Sequence, residues 1–450
     1  MKVEKLFTGA TIVTHGGRYE GNIGVNEGKI AYIGKESIEA DEVVAMPGKY
    51  LLPGVIDAHI HFQDPGPTDR EDMEHGTASC AAGGITTGLS HPMNVPPTTT
   101  VENFETIRKA YEGRCYIDYG IHGGGVSTNL KDVDDLWRNT GSTSIKMFMC
   151  FSVTDFPFVQ DDALYQHLEI IAKNGGLAMI HAENDLILKV REEQLKAEGK
   201  NDGVAYNASH PAFAEIEAIN RAIVFSEQTG ATVLIVHNST AEGLRMIKEA
   251  RLRGLKIYAE TCPHFLTFTV DDMNKHGPYL KFSPPMHEEE NRKELWKLLA
   301  DGFVDTIGSD HCPYTDDEKK KGLDVIWNAP NGIPGLETMV PVLLDGVNKG
   351  LLSLEKVVEV TSYNPGQIYG LAPKKGMIQV GSDADFTIVD MDLEKTYKKE
   401  DIKSKCPWSP YVGITFKGWP VMTVVRGAIV YRDGMVVGKL GYGEYVARPK

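Results

Sequence analysis

Eight short apolar or β-branched runs separated by longer stretches of helical pattern, together with two β-rich chain ends, predict an α/β fold. The arrangement is a TIM (β/α)8 barrel with a small β-sandwich domain formed by both termini. The runs are GVIDAH (54–59), GITTGLS (84–90), CYIDYGI (115–121), TSIKMFM (143–149), GLAMIH (176–181), ATVLIVH (231–237), KIYAET (256–261) and VDTIGSD (304–310). Between them, AEIEAINRAIVFSEQ (214–228) and AEGLRMIKEARL (241–252) repeat apolar residues at helical spacing, as the crossovers of a parallel sheet require.

The chain ends read differently. Residues 1–50 contain LFTGATIVT, NIGVNEG and KIAYIG between glycine turns, and residues 376–440 contain DADFTIVD, VMTVVRGAIVY and GMVVGK. Two β-rich ends flanking one barrel most simply form a single second domain, the chain leaving it near Leu51 and returning near Leu371. The expected division is therefore 1–50 for the first part of the sandwich, 51–370 for the barrel, and 371–450 for the second part and a tail.

Composition narrows the function. With 42% hydrophobic and 24% charged residues in 450, the chain is ordinary globular material, long enough for one large domain and a smaller one. The opening MKVEKLF lacks the apolar core of a signal peptide, and no stretch approaches the roughly 18 apolar residues of a membrane span, so a cytoplasmic protein is expected. Six cysteines without C-x-x-C spacing suit reduced thiols, which leaves histidines and carboxylates to hold any metal. A net charge of −15 excludes a phosphate-tracking surface and hence nucleic acid.

In such a barrel, chemistry sits where strands end and βα loops begin. The first run ends on His59 and His61, the fourth contains Lys146, the fifth ends on His181, the sixth on His237 and the eighth on Asp310. Singly, each has a plainer reading: a hydrogen-bonded structural histidine, a snorkelling lysine, a helix N-cap. Together at one end of one barrel they read as a two-metal site. Residues i and i+2 of a strand share a face, so His59 and His61 reach one cation with Asp310, while His181 and His237 serve a second. Histidine and carboxylate ligands suit Zn²⁺, with Mn²⁺, Co²⁺ and Fe²⁺ also compatible. An ammonium facing two cations would be repelled. Only a neutral or modified amine is tolerable at Lys146, and a free amine can add CO₂ to give a carbamate, an anion with one oxygen for each metal.

The stretches LLPGVIDAHIH, AAGGITT, SIKMFM, HAEN, ETCPHFL, KFSPPMHEEEN, IGSDHCPY, NGIPGLET and VGSDADFTIVD resemble the cyclic amidohydrolases, the family of hydantoinases, dihydropyrimidinases, allantoinases and dihydroorotases. The resemblance covers nearly the whole chain. It implies a barrel of the amidohydrolase type and a carbamylated Lys146 bridging two metals held by His59, His61, Asp310 and by His181, His237. It further implies a homotetramer or homodimer acting on a small cyclic amide or ureide. All six positions carry the expected residue types, whereas a metal-free, non-catalytic binding relative of dihydropyrimidinase would have lost several. Asp310 is then the general base and acid, passing the proton of the attacking hydroxide to the departing ring nitrogen. The family also implies that main-chain groups of Ser283 and Asn331 hold the ring imide; their plainer reading is a turn before prolines and an Asn-Gly turn.

Departures from each relative choose the substrate. Dihydroorotases carry an arginine two residues after the second histidine, where this chain has Gln63, which disfavours dihydroorotate. D-type hydantoinases and dihydropyrimidinases carry an oxyanion-donating tyrosine five residues after the lysine, where this chain has Phe151; Ser152 or a metal alone must replace it. The stretches VPPTTTVENF, YGIHGGGVSTN and GYGEYVARPK look most like L-type hydantoinases, and HPMNVPPTTT also resembles allantoinases. Phe151, Phe156 and Phe158, with Met93, would form an apolar wall, or would only hold the loop to the barrel. A wall favours the 5-substituted hydantoin, opened to an N-carbamoyl amino acid, over allantoin with its polar ureido group. Dihydropyrimidinase and dihydroorotase are lesser alternatives.

Overall fold

The computed structural model describes residues 1–449. Eight parallel strands appear where the runs stand: Val55–Ile60, Ile85–Ser90, Asp118–Ile121 (continued by Gly123–Gly124), Ile145–Phe148, Leu177–His181, Thr232–Ile235, Ile257–Thr261 and Thr306–Ile307. Successive strands pair in register from the first to the eighth. A bridge between Ile60 and His311 joins the eighth strand to the first, and the His61 N–H donates to the His311 carbonyl at 2.9 Å. That bond closes the ring. Strand residues are buried on both faces, as helices outside and side chains inside require.

The connecting helices follow from local chemistry. Ala241–Leu252 starts where the Thr240 hydroxyl accepts from the Gly243 N–H, and Ala212–Thr229 stops at Gly230, whose φ of 73° is open to glycine at little cost. Their apolar faces, Leu244 and Ile247 on one and Ile219 and Ile223 on the other, enter the main core with strand residues such as Val233 and Ile235.

Both chain ends build the second layer. One sheet runs in the order Lys29–Gly34, Asn22–Asn26, Lys2–Thr8, Glu39–Ala45. The other interleaves the ends: Met435–Val436, Ala428–Arg432, Thr415–Val425 and Phe386–Thr396 continue into Tyr50–Pro53, Thr11–Thr14 and Gly17–Glu20. Their shared core sets Phe7, Ile12 and Val25 against Phe386, Ile388 and Val424. The last residues then return to the barrel, where the Val446 N–H donates to the Tyr119 carbonyl at 2.7 Å and the Tyr119 N–H to that of Glu444 at 3.0 Å. No helix among the described residues is long and apolar enough to cross a membrane.

Candidate active site

At the C-terminal mouth of the barrel, four imidazoles, one carboxylate and one amine converge. His59 and His61 leave the first strand on one side and both place Nε2 on the same Asp310 oxygen, at 3.2 and 3.1 Å. The His181 and His237 ring centroids are 4.4 Å apart, and those of His59 and His237 are 5.4 Å apart. Ligand atoms of His59, His237 and Asp310 all lie within 4.8 Å of one another. His237 and Asp310 are not glycines, yet they have φ of 39° and 45°. Such backbone costs on the order of 1–3 kcal/mol per residue and persists where the surroundings over-determine it.

The floor enforces this geometry. A Cβ at Gly308 would stand 2.6 Å from the His59 Cβ and 2.9 Å from the Glu260 Cδ, so only glycine lets the eighth strand pass beneath the first. Asp57 accepts from the N–H groups of both His59 (3.0 Å) and Ser309 (3.1 Å), which ties these strands together.

Electrostatics leave the donors in ligating form except at His59, where Asp310 and Glu260, against burial, raise the imidazole to about 9. Burial holds the His61, His181 and His237 imidazoles below their ordinary range, hence neutral. Although burial opposes it, the His59 and His61 rings hold the Asp310 carboxyl well below the usual range. Lys146 is fully buried, and its Nζ has no hydrogen-bond partner. Burial draws its ammonium down to about 8 against the pull of Asp310 and Glu260. The Nδ1 atoms of His61 and His237 are likewise buried and unpartnered. Unpaired buried donors around one point, with carboxylates behind them, fit a group of cations.

Those backing carboxylates escape a reading of the sequence. Glu260, next to last in the seventh strand, holds His59 Nδ1 at 2.6 Å, and Glu183 holds His181 Nε2 at 2.8 Å. A polar residue near the end of an apolar strand is the available signal in KIYAET. His91 is a further residue that the sequence does not mark: its ring stacks on that of His59 at 3.9 Å, and neither of its nitrogens has a partner. Cys150 lies within 4.8 Å of His181 and Glu183, but burial raises its thiol well above the ordinary range, so it stays protonated.

A cavity of about 770 Å³ opens over the cluster, lined among others by Met93, Phe151, Ser152, Ser283 and Asn331. Gln63 stands apart. It lines a smaller adjoining space, its Nε2 on the His61 carbonyl at 3.4 Å. Of the expected aromatic wall, Phe151 is in place but 57% exposed. Phe156 is buried edge-on against Phe148, with Phe158 in the same cluster, so these two hold the loop to the barrel.

Fold and site together define a hydrolase acting on the C–N bonds of cyclic amides. The sequence pattern of the amidohydrolase family matches residues 50–430, and the chain belongs to that family. It is 38% identical over 442 residues to an L-hydantoinase of Paenarthrobacter aurescens, covering 97% of this chain and 96% of that protein. It is 35% identical over 443 residues to an allantoinase of Deinococcus radiodurans, covering 97% of each. The solved structure of the L-hydantoinase (dihydropyrimidinase) from Arthrobacter aurescens superposes with a TM-score of 0.97 at 36% identity, covering 99% of this chain and all of that one. The family typically uses a binuclear metal centre, and the donors described here suit one.

Proposed function

We propose that the chain opens the ring of a 5-substituted hydantoin to the N-carbamoyl amino acid. Two divalent ions, Zn²⁺ by the chemistry of the donors, would be held by His59, His61 and Asp310 and by His181 and His237. Lys146 would join the two groups once its neutral amine had added CO₂ and released a proton, giving a carbamate. A pair of such ions supplies Lewis acidity at the carbonyl and an acidified water. The single observation that carries the reading is the buried, unpartnered Lys146 amine lining one cavity with four imidazoles and Asp310.

Asp310 takes the proton of the attacking water and delivers it to the departing ring nitrogen; both roles need a carboxylate that ionises reversibly beside the reacting atoms. Ser283 and Asn331 bind the imide through main-chain groups that make no internal hydrogen bond among the described residues, on a wall shared with the cluster. Phe151 has no donor for the oxyanion, which leaves that charge to Ser152 or to the ions. Its exposed ring and Met93 favour an apolar substituent over a ureido group, whose donors would lose water without gaining partners.

Initial rates of the metal-loaded enzyme on hydantoin, 5-benzylhydantoin, allantoin, dihydrouracil and dihydroorotate test the substrate. The aryl hydantoin should be fastest and dihydroorotate slowest; faster opening of allantoin would reassign the substrate, and no turnover on any ring would sink the reading. Lys146→Ala should abolish activity, and intact mass should show the carbamate in the native chain.

A further inference from the structure

Two buried lysines grip consecutive carbonyls of one cavity-lining loop. Lys281 donates to the Ala329 carbonyl at 2.6 Å, and Lys319, on the short helix Asp316–Lys320, donates to that of Pro330 at 2.9 Å. Lys281 is 5% exposed and Lys319 not at all, and among the described residues no carboxylate pairs with either. Aromatic rings flank both ammonium groups: Tyr206 lies 4.7 Å from that of Lys281, and Trp408 and Tyr314 lie 5.5 and 5.7 Å from that of Lys319. Buried Lys375, by contrast, meets three carboxylates. An ammonium buried without an anion is costly, and carbonyls and ring faces offset only part of that cost. Burial accordingly pulls Lys281 down to about 8 and Lys319 to about 7.

The loop shows what the arrangement accomplishes. The Gly332 N–H donates to the Lys281 carbonyl at 3.0 Å, the Ala329 N–H to that of Ile326 at 3.2 Å, and Pro330 has no N–H. From the Ala329 N–H to the Gly332 N–H, the groups left without an internal partner among the described residues are the N–H and C=O of Asn331. At Gly332, with φ of 140°, a Cβ would meet the Cys312 carbonyl at 2.5 Å, so the loop is also pressed against the eighth strand's exit.

We infer that Lys281 and Lys319 are positioning residues which, by anchoring the Ala329 and Pro330 carbonyls, aim the Asn331 peptide at the ring substrate. The inference rests on the cavity being the ring-opening site. A stability role would be served as well by methionine, which is unbranched like lysine, only one atom shorter, and carries no charge to bury. A positioning role would not, because the peptide would then be free to turn.

The test is Lys281→Met and Lys319→Met in the full, metal-loaded chain, assayed for KM and kcat on the fastest substrate of the panel, with melting temperature and metal content measured alongside. Each variant should raise KM about tenfold while kcat stays within about threefold, since the anchored peptide serves to bind the ring. The melting temperature should equal or exceed that of the parent. Lys319→Arg, which keeps a donor for the Pro330 carbonyl, should recover most of the parental KM. Unchanged KM in both methionine variants would overturn the inference, as would failure to fold or a lowered melting temperature, which would make the lysines structural. A parent inactive on every ring would instead sink the proposed function, so the two failures are distinguishable.

Discussion

Asp310 combines a left-handed backbone and burial, each of which raises the cost of placing a carboxylate there, with contacts to two imidazoles that hold it ionised. Such a residue is kept for its chemistry. Asp310→Asn preserves shape and removes the ionisable group, so kcat should fall by about 10²–10⁴-fold or more. Circular dichroism and metal analysis must accompany the rate, because near-parental turnover in a folded, loaded variant would exclude the proton shuttle. Glu260 acts one step further out, fixing the tautomer of His59 from the far side of the ring. Glu260→Gln should weaken metal binding by about 10–100-fold, read by competition with a chromogenic chelator. Unaltered affinity would show that His59 is oriented by packing alone.

At the scale of elements, the barrel is legible in the sequence because strand runs and helical periodicities alternate, and Ala241–Leu252 coincides with the stretch AEGLRMIKEARL. All strands but the first are shorter than their runs, and three of the shortenings have a plain physical reason. The sixth strand stops at Ile235 and the eighth at Ile307 because His237 and Asp310 turn out of the sheet to reach the site. The third starts at Asp118 because the Cys115 carbonyl is taken by the N–H groups of Gly441 and Gly443 from the chain's tail. The edge strand Glu39–Ala45 is hidden in the sequence, since its charged residues leave one buried valine to mark it. His91 is illegible there because its stacking partner, His59, stands on another strand, whereas Glu183 lies beside its partner His181 and only its second partner, Ser283, comes from elsewhere in the chain. The loop after the fourth strand carries a prediction of its own. Phe151 is mostly exposed, so Phe151→Tyr should change the melting temperature little and leave kcat on unsubstituted hydantoin or dihydrouracil no lower, while slowing bulky 5-aryl rings. A large loss on every substrate with metals retained would show that the ring packs the loop.

Across the whole molecule, the barrel and the β-layer from the chain ends meet over one buried charge cluster. The Lys375 ammonium reaches Asp118 on the third barrel strand, Asp385 at 2.7 Å and Asp383 at 3.0 Å, while Asp385 also accepts from the Arg426 N–H at 2.8 Å. Against the burial that would raise it, Lys375 holds the Asp383 carboxyl below its ordinary range. A depressed carboxylate contributes stability above its unfolded pKa, about 3.9, and that contribution is lost as pH falls through the folded value. Lys375→Met inverts the sign. Arg426 still faces Asp118 at 3.4 Å and Lys29 still faces Asp383 at 3.0 Å, but Asp385, which burial already raises, loses its cation, so folding then takes up protons and stability declines as pH rises past about 4. Removing one partner of a buried pair costs about 3–5 kcal/mol, so the deficit should be large near neutrality and shrink on acidification. Melting curves of parent and variant at pH 5 and pH 8 decide the point. A deficit equal at both pH values would mean that Lys375 joins the two layers by its packing and not by its charge.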